Sequence, residues 1–569
     1  MENAEIAAVF EEIADVLEIQ GENPFRVRSY RNAARTLRDL SERVVDLVDQ
    51  QKDLSKLPNV GESISRQIHQ ILKRGTSKRL ESLRKKVPEE LPELMRVPGL
   101  GPKKVKLIYD ALGVHTLGEL KEAAESGRLR ELEGMGEKTE EKILRGVETV
   151  QRHGGRVRLK EAAEYARTLG HHLDEIADLK RWELAGSLRR RKETIGDLDI
   201  LVETDHPRRF GNQIGKDDLV AEVVSKGEDK IQVRLRNGLN VDFRMFERKQ
   251  FGSALMYFTG SKAHNIALRK RAQKRGWKLN EYGLFNGKKR LAGKTEEEVY
   301  KKLGLAWVPP ELREERGEVK AAEKSRLPQL VELDDIHGDL HAHTKATDGK
   351  NTIEEMAKGA RERGYEYLAI TDHSKAVTVA KGLDEDRLRK HSDDVRNVGQ
   401  SIKNFALLAG VEVDILKNGD LDLDEDVLAE LDWVNGAVHS HFDLSKKRMT
   451  ERLLAAIRSG VVDCLAHPFG RMFGSREPIQ FDIDRVFEAC RDHDVCLEIN
   501  AYPDRLDLPD IYCQRAKEAG VDIVISTDAH KVSDLDFMRY GVSVARRGWL
   551  EKRDIVNTTT RRSLRKRRS

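Results

Sequence analysis

"IGDLDILV", residues 195–202, sets two aspartates one position apart in a run that otherwise reads as a β-strand. Strand side chains alternate, so Asp197 and Asp199 share one face. Carboxylates that close repel each other, and they stand among buried-type Ile195, Leu198, Ile200 and Leu201. A pair of divalent cations accounts for the arrangement if a further carboxylate joins it. "LNVDFRMF" (239–246) supplies Asp242, with Val241 and Phe243 facing the other way. Three carboxylates can hold two Mg²⁺ ions about 3.5–4 Å apart.

The chain around this stretch has 569 residues, which suggests three or four domains. Lysine plus arginine (102) nearly balances aspartate plus glutamate (98), so overall charge does not argue for nucleic acid. Local clusters must make that case. "RRSLRKRRS" (561–569) is one, as a solvated tail or a phosphate-contacting one. The amphipathic, acidic start is not a secretory signal, and no apolar run reaches membrane-spanning length. Cys464, Cys490, Cys496 and Cys513 show no C-x-x-C spacing, so a reduced, cytoplasmic setting is expected.

Residues 1 to about 150 read helical. Three similar pieces recur there: "LPNVGESISRQI" from Leu57, "VPGLGPKKVKLI" from Val97 and "LEGMGEKTEEKI" from Leu132. Each is an apolar residue, a tight turn ending in Gly, then a helix. Such turns present backbone N–H groups at a helix N-terminus, which grip phosphate without reading bases. The segments resemble helix-hairpin-helix motifs, with Val60, Gly61, Gly99, Gly101, Gly134 and Gly136 as DNA-contacting positions. Asn59 stands where the first Gly is usual, and Asn tolerates unusual backbone angles.

The opening stretch extends to "AGSLRRRKETIGDLDILV" (185–202). It resembles the nucleotidyltransferase signature G-S…D-x-D with a third Asp on a neighbouring strand. "YFTGSKAHNIALR" (257–269) looks like the nucleotide-pocket segment of family X DNA polymerases, and the order of motifs makes residues 1 to about 310 similar to that family, DNA polymerase β included. The resemblance implies that Asp197, Asp199 and Asp242 hold Mg²⁺ or Mn²⁺, with Asp242 near the primer 3′-hydroxyl. It places Gly186, Ser187, Arg190, Gly196 and Arg156 at the incoming triphosphate. Tyr257 and Phe258 flank the sugar, the Gly260–Ser261 peptide is cis, and Asn265 and Arg269 touch the nascent base pair. In relatives with deoxyribose-phosphate lyase activity a lysine in the helix after the first hairpin turn forms a Schiff base. That position is Gln67 here, and an amide cannot form the imine.

From about residue 337 the texture changes. Ten of the seventeen histidines lie from there onward, and β-type runs alternate with helices. That rhythm argues for a parallel α/β barrel with functional groups at strand ends. "DLHAHTKATDG" carries His341, His343 and Asp348, "ITDHS" His373, "GVEVDI" Glu412, "AVHSHF" His439, "LAHPFGR" His467, and "STDAH" Asp528 and His530. Nine nitrogen and oxygen ligands at successive strand ends converge on one rim. These motifs closely resemble the PHP (polymerase and histidinol phosphatase) domain. The resemblance implies a distorted (βα)7 barrel with three metals: one on His341, His343, Glu412 and Asp528; a second bridged by Glu412 to His439 and His467; a third on Asp348, His373 and His530. Imidazole with carboxylate suits Mn²⁺, Zn²⁺ or Fe. His441 and Asp414 are left out as facing away by alternation. Arg471 and Arg505 are candidates for a substrate phosphate or for salt bridges.

The expected fold is therefore multidomain: an N-terminal all-α helix-hairpin-helix region, an α+β nucleotidyltransferase palm and a C-terminal α/β barrel. Expected boundaries are 1–88 and 89–154 (helix-hairpin-helix), 155–250 (palm), 251–312 (nucleotide and nascent base-pair subdomain), 313–336 (linker) and 337–569 (PHP domain with the basic tail). The charged run 309–328 is the best linker candidate. The expected function is a monomeric DNA repair polymerase that fills short gaps in primed DNA from dNTPs. Its second half is expected to be a 3′→5′ exonuclease with abasic-site endonuclease or 3′-phosphatase activity. The alternatives are a DNA-binding protein with weak or dead polymerase, and a PHP half that acts as a small-molecule phosphatase.

Overall fold

A computed structural model describes residues 3–38, 40, 44–97, 100–153 and 156–560. Gly99 and the basic run 561–569, both singled out above, lie outside the described residues.

The N-terminal half begins with helices Asn3–Ile19, Pro24–Arg38, Glu62–Arg74 and Lys78–Arg84, followed by Pro102–Leu112, Leu117–Glu125 and Glu137–His153. One cluster of buried apolar side chains, from Ile6 to Val147, runs through all of them. The boundary expected at residue 88 therefore falls within a shared core. Gly61 and Gly101 sit at the N-caps of Glu62–Arg74 and Pro102–Leu112, and Gly134 (φ +75°) turns the chain into Glu137–His153. Asn59 takes φ +61°, the left-handed conformation that its position demands in place of glycine.

The palm is a five-stranded sheet. Its strands are β1 (Leu179–Leu184), β2 (Asp197–Thr204), β3 (Val220–Lys226), β4 (Lys230–Leu235) and β5 (Asn240–Met245), in spatial order β1-β2-β5-β4-β3. Strands β2 and β5 run parallel, with Asp199 opposite Asp242 and Asp197 opposite Asn240. Leu198, Ile200, Val241 and Phe243 are fully buried on the far side. Helices Phe251–Thr259, Lys262–Gln273 and Glu296–Lys302 then pack on a small antiparallel sheet spanning 278–292. The Gly260–Ser261 peptide is cis.

The segment 313–336, expected as a linker, is packed. Arg313 and Glu318 are fully buried, and Ala322, Leu330 and Val331 enter apolar clusters. Its buried charges have partners: Arg313 pairs with Glu296, and Glu318 with the His264 ring. A run that reads as a soluble tether is thus built into the body by complementary charges elsewhere.

The C-terminal half is a seven-stranded, all-parallel sheet in sequence order. Its strands are β6 (Gly338–Asp339), β7 (Tyr367–Ile370), β8 (Ala406–Asp414), β9 (Trp433–Ala437), β10 (Cys464–Leu465), β11 (Cys496–Asn500) and β12 (Ile523–Ser526). A parallel bridge between Ala342 and Ala529 brings the two ends together, so the sheet nearly closes. Leu340, Tyr367, Leu408, Trp433, Cys464, Cys496 and Val524, contributed by successive strands and their ends, form one buried cluster. All four cysteines are buried and free. Among the described residues no helix is long and apolar enough to cross a membrane.

Candidate functional site

Two groups of chemistry-bearing side chains stand out, one in each half. In the palm, the parallel register of β2 and β5 puts Asp197, Asp199 and Asp242 on one face. Burial pushes the Asp199 carboxyl up to about 7, aided by Asp197 and Asp242. Burial and then Asp242 raise Asp197 as well. Asp242 Oδ2 accepts from Lys230 Nζ at 2.6 Å and Arg244 at 3.2 Å, while its buried Oδ1 has no partner. Three mutually repelling carboxylates with an orphaned buried oxygen fit divalent cations: the donors are all oxygen, and added positive charge relieves the repulsion.

The neighbourhood of the three acids is shaped by glycine. Gly186, at φ +60°, lies so close to Asp199 that a Cβ there would sit 2.2 Å from Oδ2. A Cβ on Gly196 would sit 3.0 Å from the Arg156 guanidinium, which donates to the Thr194 hydroxyl (2.9 Å) and carbonyl (2.6 Å). Ser187 lies on the helical turn Gly186–Arg189. Arg190 donates to Glu314 at 3.1 Å and to the Thr259 carbonyl. Tyr257 and Phe258 meet edge to face at 5.0 Å, and the Arg244 guanidinium covers Phe258 at 4.3 Å. Asn265 donates to the Tyr257 carbonyl at 2.6 Å and leaves its buried Oδ1 without a partner. Arg269, one turn on in Lys262–Gln273, shares its face. Gly260 and Ser261 join the two helices, and a Cβ on Gly260 would meet Arg190 at 3.2 Å. Contacts thus link Gly186 to Asp199, Arg190 to the Thr259–Gly260 turn, and Asn265 to Tyr257.

In the barrel, nine predicted ligands converge. Glu412 is central: its Oε1 lies 2.8 Å from His467 Nε2, 3.3 Å from His439 Nε2 and 3.5 Å from His341 Nε2, and its Oε2 lies 2.8 Å from His373 Nδ1. Asp348 Oδ2 stands 3.5 Å from His373 Nε2 and 3.3 Å from His530 Nε2. Asp528 Oδ1 stands 3.2 Å from His343 Nε2. Donor atoms gather within 4.8 Å in three overlapping groups: His343, Asp348, His373 and His530; His341, His343 and Asp528; His373, Glu412 and His439. His343 and His373 each fall in two of these groups, and His343 stacks on His530 at 4.3 Å. His467 and Asp528 both take left-handed backbone, φ +29° and +54°. Non-glycine residues so held gather at functional sites.

The charges there are strongly perturbed. Burial opposes ionisation of Glu412, but His439, His341 and His373 overcome it and hold the carboxyl well below the usual range. Burial, with His530 and His373, lowers His343 to about 4. Burial also works against the His373 cation, yet Glu412 and Asp348 raise it to about 10. Five ring nitrogens (His341 Nε2, both of His343, His373 Nδ1 and His467 Nδ1) and Glu412 Oε2 are buried without a well-directed hydrogen bond, although carboxylates approach several of them. Orphaned polar atoms at that density fit metal ligation, since each otherwise costs its desolvation.

Outer partners fix several ligands. His341 Nδ1 meets Glu498 at 2.8 Å, and Glu498 also accepts the His467 backbone N–H at 2.7 Å. Asp372 accepts from Thr344 and Thr347, bracing the loop to Asp348, and pairs with His391 at 2.9 Å. Such partners orient ligating imidazoles. Glu498 escaped sequence reading although it sits two residues from Asn500 in the buried strand β11, the same polar spacing that exposes Asp197 and Asp199. Asp414 is a correction. Residues two apart in a strand share a face, so Asp414 lies with Glu412, and its Oδ1 contacts His439 Nδ1 at 3.1 Å. His441 is exposed, at φ +53°. Arg471 binds Glu193 and the carbonyls of Arg505 and Leu506, a structural role, while Arg505 lies 3.6 Å from Asp528.

Known proteins resemble the chain in both halves. The helix-hairpin-helix domain matches residues 1–77, the SAM-like helix-hairpin-helix tandem 91–149, the DNA polymerase beta thumb 254–314 and the PHP domain 339–502. The DNA polymerase/3′-5′ exonuclease PolX of Bacillus subtilis is 39% identical over 561 residues, covering 98% of this chain and 97% of that protein. A probable phosphatase of Photobacterium profundum is 31% identical over 207 residues, 35% of this chain and 79% of that protein. A probable phosphatase of Aliivibrio fischeri is 27% identical over 237 residues, 40% and 91%. With a relative matched along nearly its whole length and both halves recognised by their domains, the chain belongs to the family X DNA polymerases that carry a C-terminal PHP domain.

Proposed function

We propose that the chain is a DNA repair enzyme that extends primer 3′ ends across short gaps and trims 3′ ends with its second half. The observation that carries the first activity is the parallel register of β2 and β5, which gathers Asp197, Asp199 and Asp242 on one face. Divalent ions held by these carboxylates supply the Lewis acidity that activates a primer hydroxyl and balances charge on pyrophosphate. The chain's own groups do the rest. Asp242 lies deepest and faces the primer end. Ser187, Arg190, Arg156 and the Gly196 backbone receive the triphosphate, and Tyr257 and Phe258 crowd a 2′-hydroxyl. Asn265 and Arg269 meet the base pair from its minor-groove side. The helix-hairpin-helix turns at Val60–Gly61, Gly101 and Gly134–Gly136 hold backbone phosphates without reading sequence.

In the barrel, His341, His343, Asp348, His373, Glu412, His439, His467, Asp528 and His530 hold up to three ions of Mn²⁺, Zn²⁺ or Fe. Such ions supply Lewis acidity for phosphoester hydrolysis. Glu498, Asp414 and Asp372 fix ligand orientation, and Arg505 offers a cation to substrate phosphate beside Asp528. The substrates are 3′ nucleotides, with abasic sites and 3′-phosphates as further members of the same chemistry. The similarity of this half to probable phosphatases supports a second reading, hydrolysis of small phosphomonoesters.

The test is incubation of the full chain with a 5′-labelled gapped duplex and Mn²⁺, with and without dNTPs. Extension lost in Asp242→Ala and shortening lost in His341→Ala support both assignments. Shortening that survives His341→Ala and Glu412→Ala refutes the barrel assignment. Faster turnover of p-nitrophenyl phosphate than of a 3′-tailed duplex favours the second reading.

A further inference from the structure

Where the barrel meets the palm, charges are buried rather than exposed. Arg547 ends helix Met538–Arg547 of the barrel, and its side chain is 1% exposed. Its Nη2 pairs with Asp510 at 2.6 Å. Its Nη1 crosses to the polymerase half, donating to the Arg190 carbonyl at 2.8 Å and to Glu314 Oε1 at 3.1 Å. Arg190 Nε donates to that same Oε1 at 3.1 Å. Arg316, two residues beyond Glu314, returns to Asp510 at 3.1 Å. Within the barrel, glycine at 548 lets the end of this helix pack on Asp510–Ala519, which carries Asp510: a Cβ there would sit 2.4 Å from Cys513 Cβ.

We propose that Arg547 is a positioning residue for nucleotide addition: it shares the Glu314 carboxylate with Arg190 and so leaves Arg190 able to turn to a triphosphate. This rests on the assignment of Arg190 to the triphosphate given above. The charge count supports it. Glu314 and Asp510 face Arg190, Arg547 and Arg316, with Lys192 at 4.0 Å from Glu314; the hydrogen-bonded partners are two carboxylates against three guanidiniums. When Arg190 turns away, two carboxylates remain with two guanidiniums, and nothing buried is left uncompensated. Without Arg547, Glu314 keeps only Arg190 and, at 4.0 Å, Lys192. Releasing Arg190 then leaves a carboxylate that is 9% exposed with no hydrogen-bonded guanidinium and its nearest cation, Lys192, at 4.0 Å, which is penalised. Glu314 becomes a competitor of the nucleotide for Arg190. The barrel therefore tunes the polymerase pocket through one arginine.

The test is steady-state gap filling by the full chain, with dNTP varied and barrel nuclease activity measured on the same preparations. Arg547→Met is expected to raise the dNTP KM roughly tenfold with kcat within about threefold, the signature of lost nucleotide binding rather than lost chemistry. Adding Glu314→Gln removes the competing charge and is expected to bring KM back to within about threefold of the parent. A merely structural role would lower kcat and active fraction, and the second substitution would not restore them. Asp510→Asn, which loosens Arg547 without removing it, gives a second route and should raise KM in the same direction. Unchanged KM in both Arg547→Met and Asp510→Asn, or a double variant as impaired as the single one, overturns the proposal. Arg190→Gln separates the two layers: if it leaves KM unaltered, the triphosphate assignment itself falls; if it raises KM while Arg547→Met does not, only the role of Arg547 falls.

Discussion

Gly186→Ala is the sharpest perturbation of the palm, because it adds one carbon in a place where none fits. The residue sits at φ +60°, so alanine there carries a conformational cost of about 1–2 kcal/mol. The larger effect is steric. The new Cβ would lie 2.2 Å from Asp199 Oδ2, 3.1 Å from Cγ and 3.2 Å from Cβ. Asp199 cannot slide away, because strand β2 is paired on both sides, so the carboxylate must rotate or shift by roughly 1 Å. A misplacement of that size at a reacting centre costs on the order of 100-fold in rate. The assay is single-turnover extension of a 5′-labelled gapped duplex, with exonuclease activity of the same preparation as the fold control. Extension should fall on the order of 100-fold while nuclease activity stays within about twofold. Extension within about threefold of the parent, in a variant with unchanged nuclease, would refute both the steric argument and the placement of Asp199 in the reaction.

Glu412→Gln removes the charge that holds four imidazoles together, so 3′-end shortening should fall at least about 100-fold with primer extension retained, as gel assays of both activities would show. Stripping metals with a chelator should lower the thermal midpoint, because the orphaned barrel nitrogens lose their partners; Mn²⁺ or Zn²⁺ should restore it, read by calorimetry. Glu296 accepts from Arg189, Arg313 and the Trp307 indole while 4% exposed, and Glu296→Ala should destabilise by about 3–5 kcal/mol in urea unfolding. Gln67 is buried against the Tyr30 hydroxyl at 3.1 Å, so borohydride should trap no deoxyribose-phosphate adduct at that position; peptide mapping of any adduct would show whether exposed Lys73 or Lys78 substitutes.

What the chain discloses by reading follows from how local each signal is. Asp197 and Asp199 are visible because acids two apart in an apolar strand repel each other, and only cations beside them make the pair stable. Asp242 follows from the need for a third donor. The barrel ligands are visible because each closes a β-type run. Outer partners are less visible: Glu498 and Asp372 look like ordinary polar residues until the strands that carry them are side by side. Asp414 was recoverable, since two-residue spacing from Glu412 places it on the same face. The packing of 313–336 could not be read. Its composition is that of a solvated tether, and its burial depends on Glu296, His264 and Arg547, which lie outside the segment.

The two donor sets also explain how one chain can carry two metal chemistries without confusing them. The palm offers only carboxylate oxygens, hard donors that suit Mg²⁺ or Mn²⁺ and allow easy exchange as substrate comes and goes. The barrel offers six imidazoles, with Glu412, Asp348 and Asp528, several of them deeply buried and fixed from behind by Glu498 and Asp414. Nitrogen-rich, pre-oriented sites favour later transition metals and release them slowly. The two donor sets thus differ in the ions that their chemistry suits. Between the halves, Arg471 pairs with Glu193 and Arg158 with Asp504, so those carboxylates already have cationic partners where the two metal-binding regions come close.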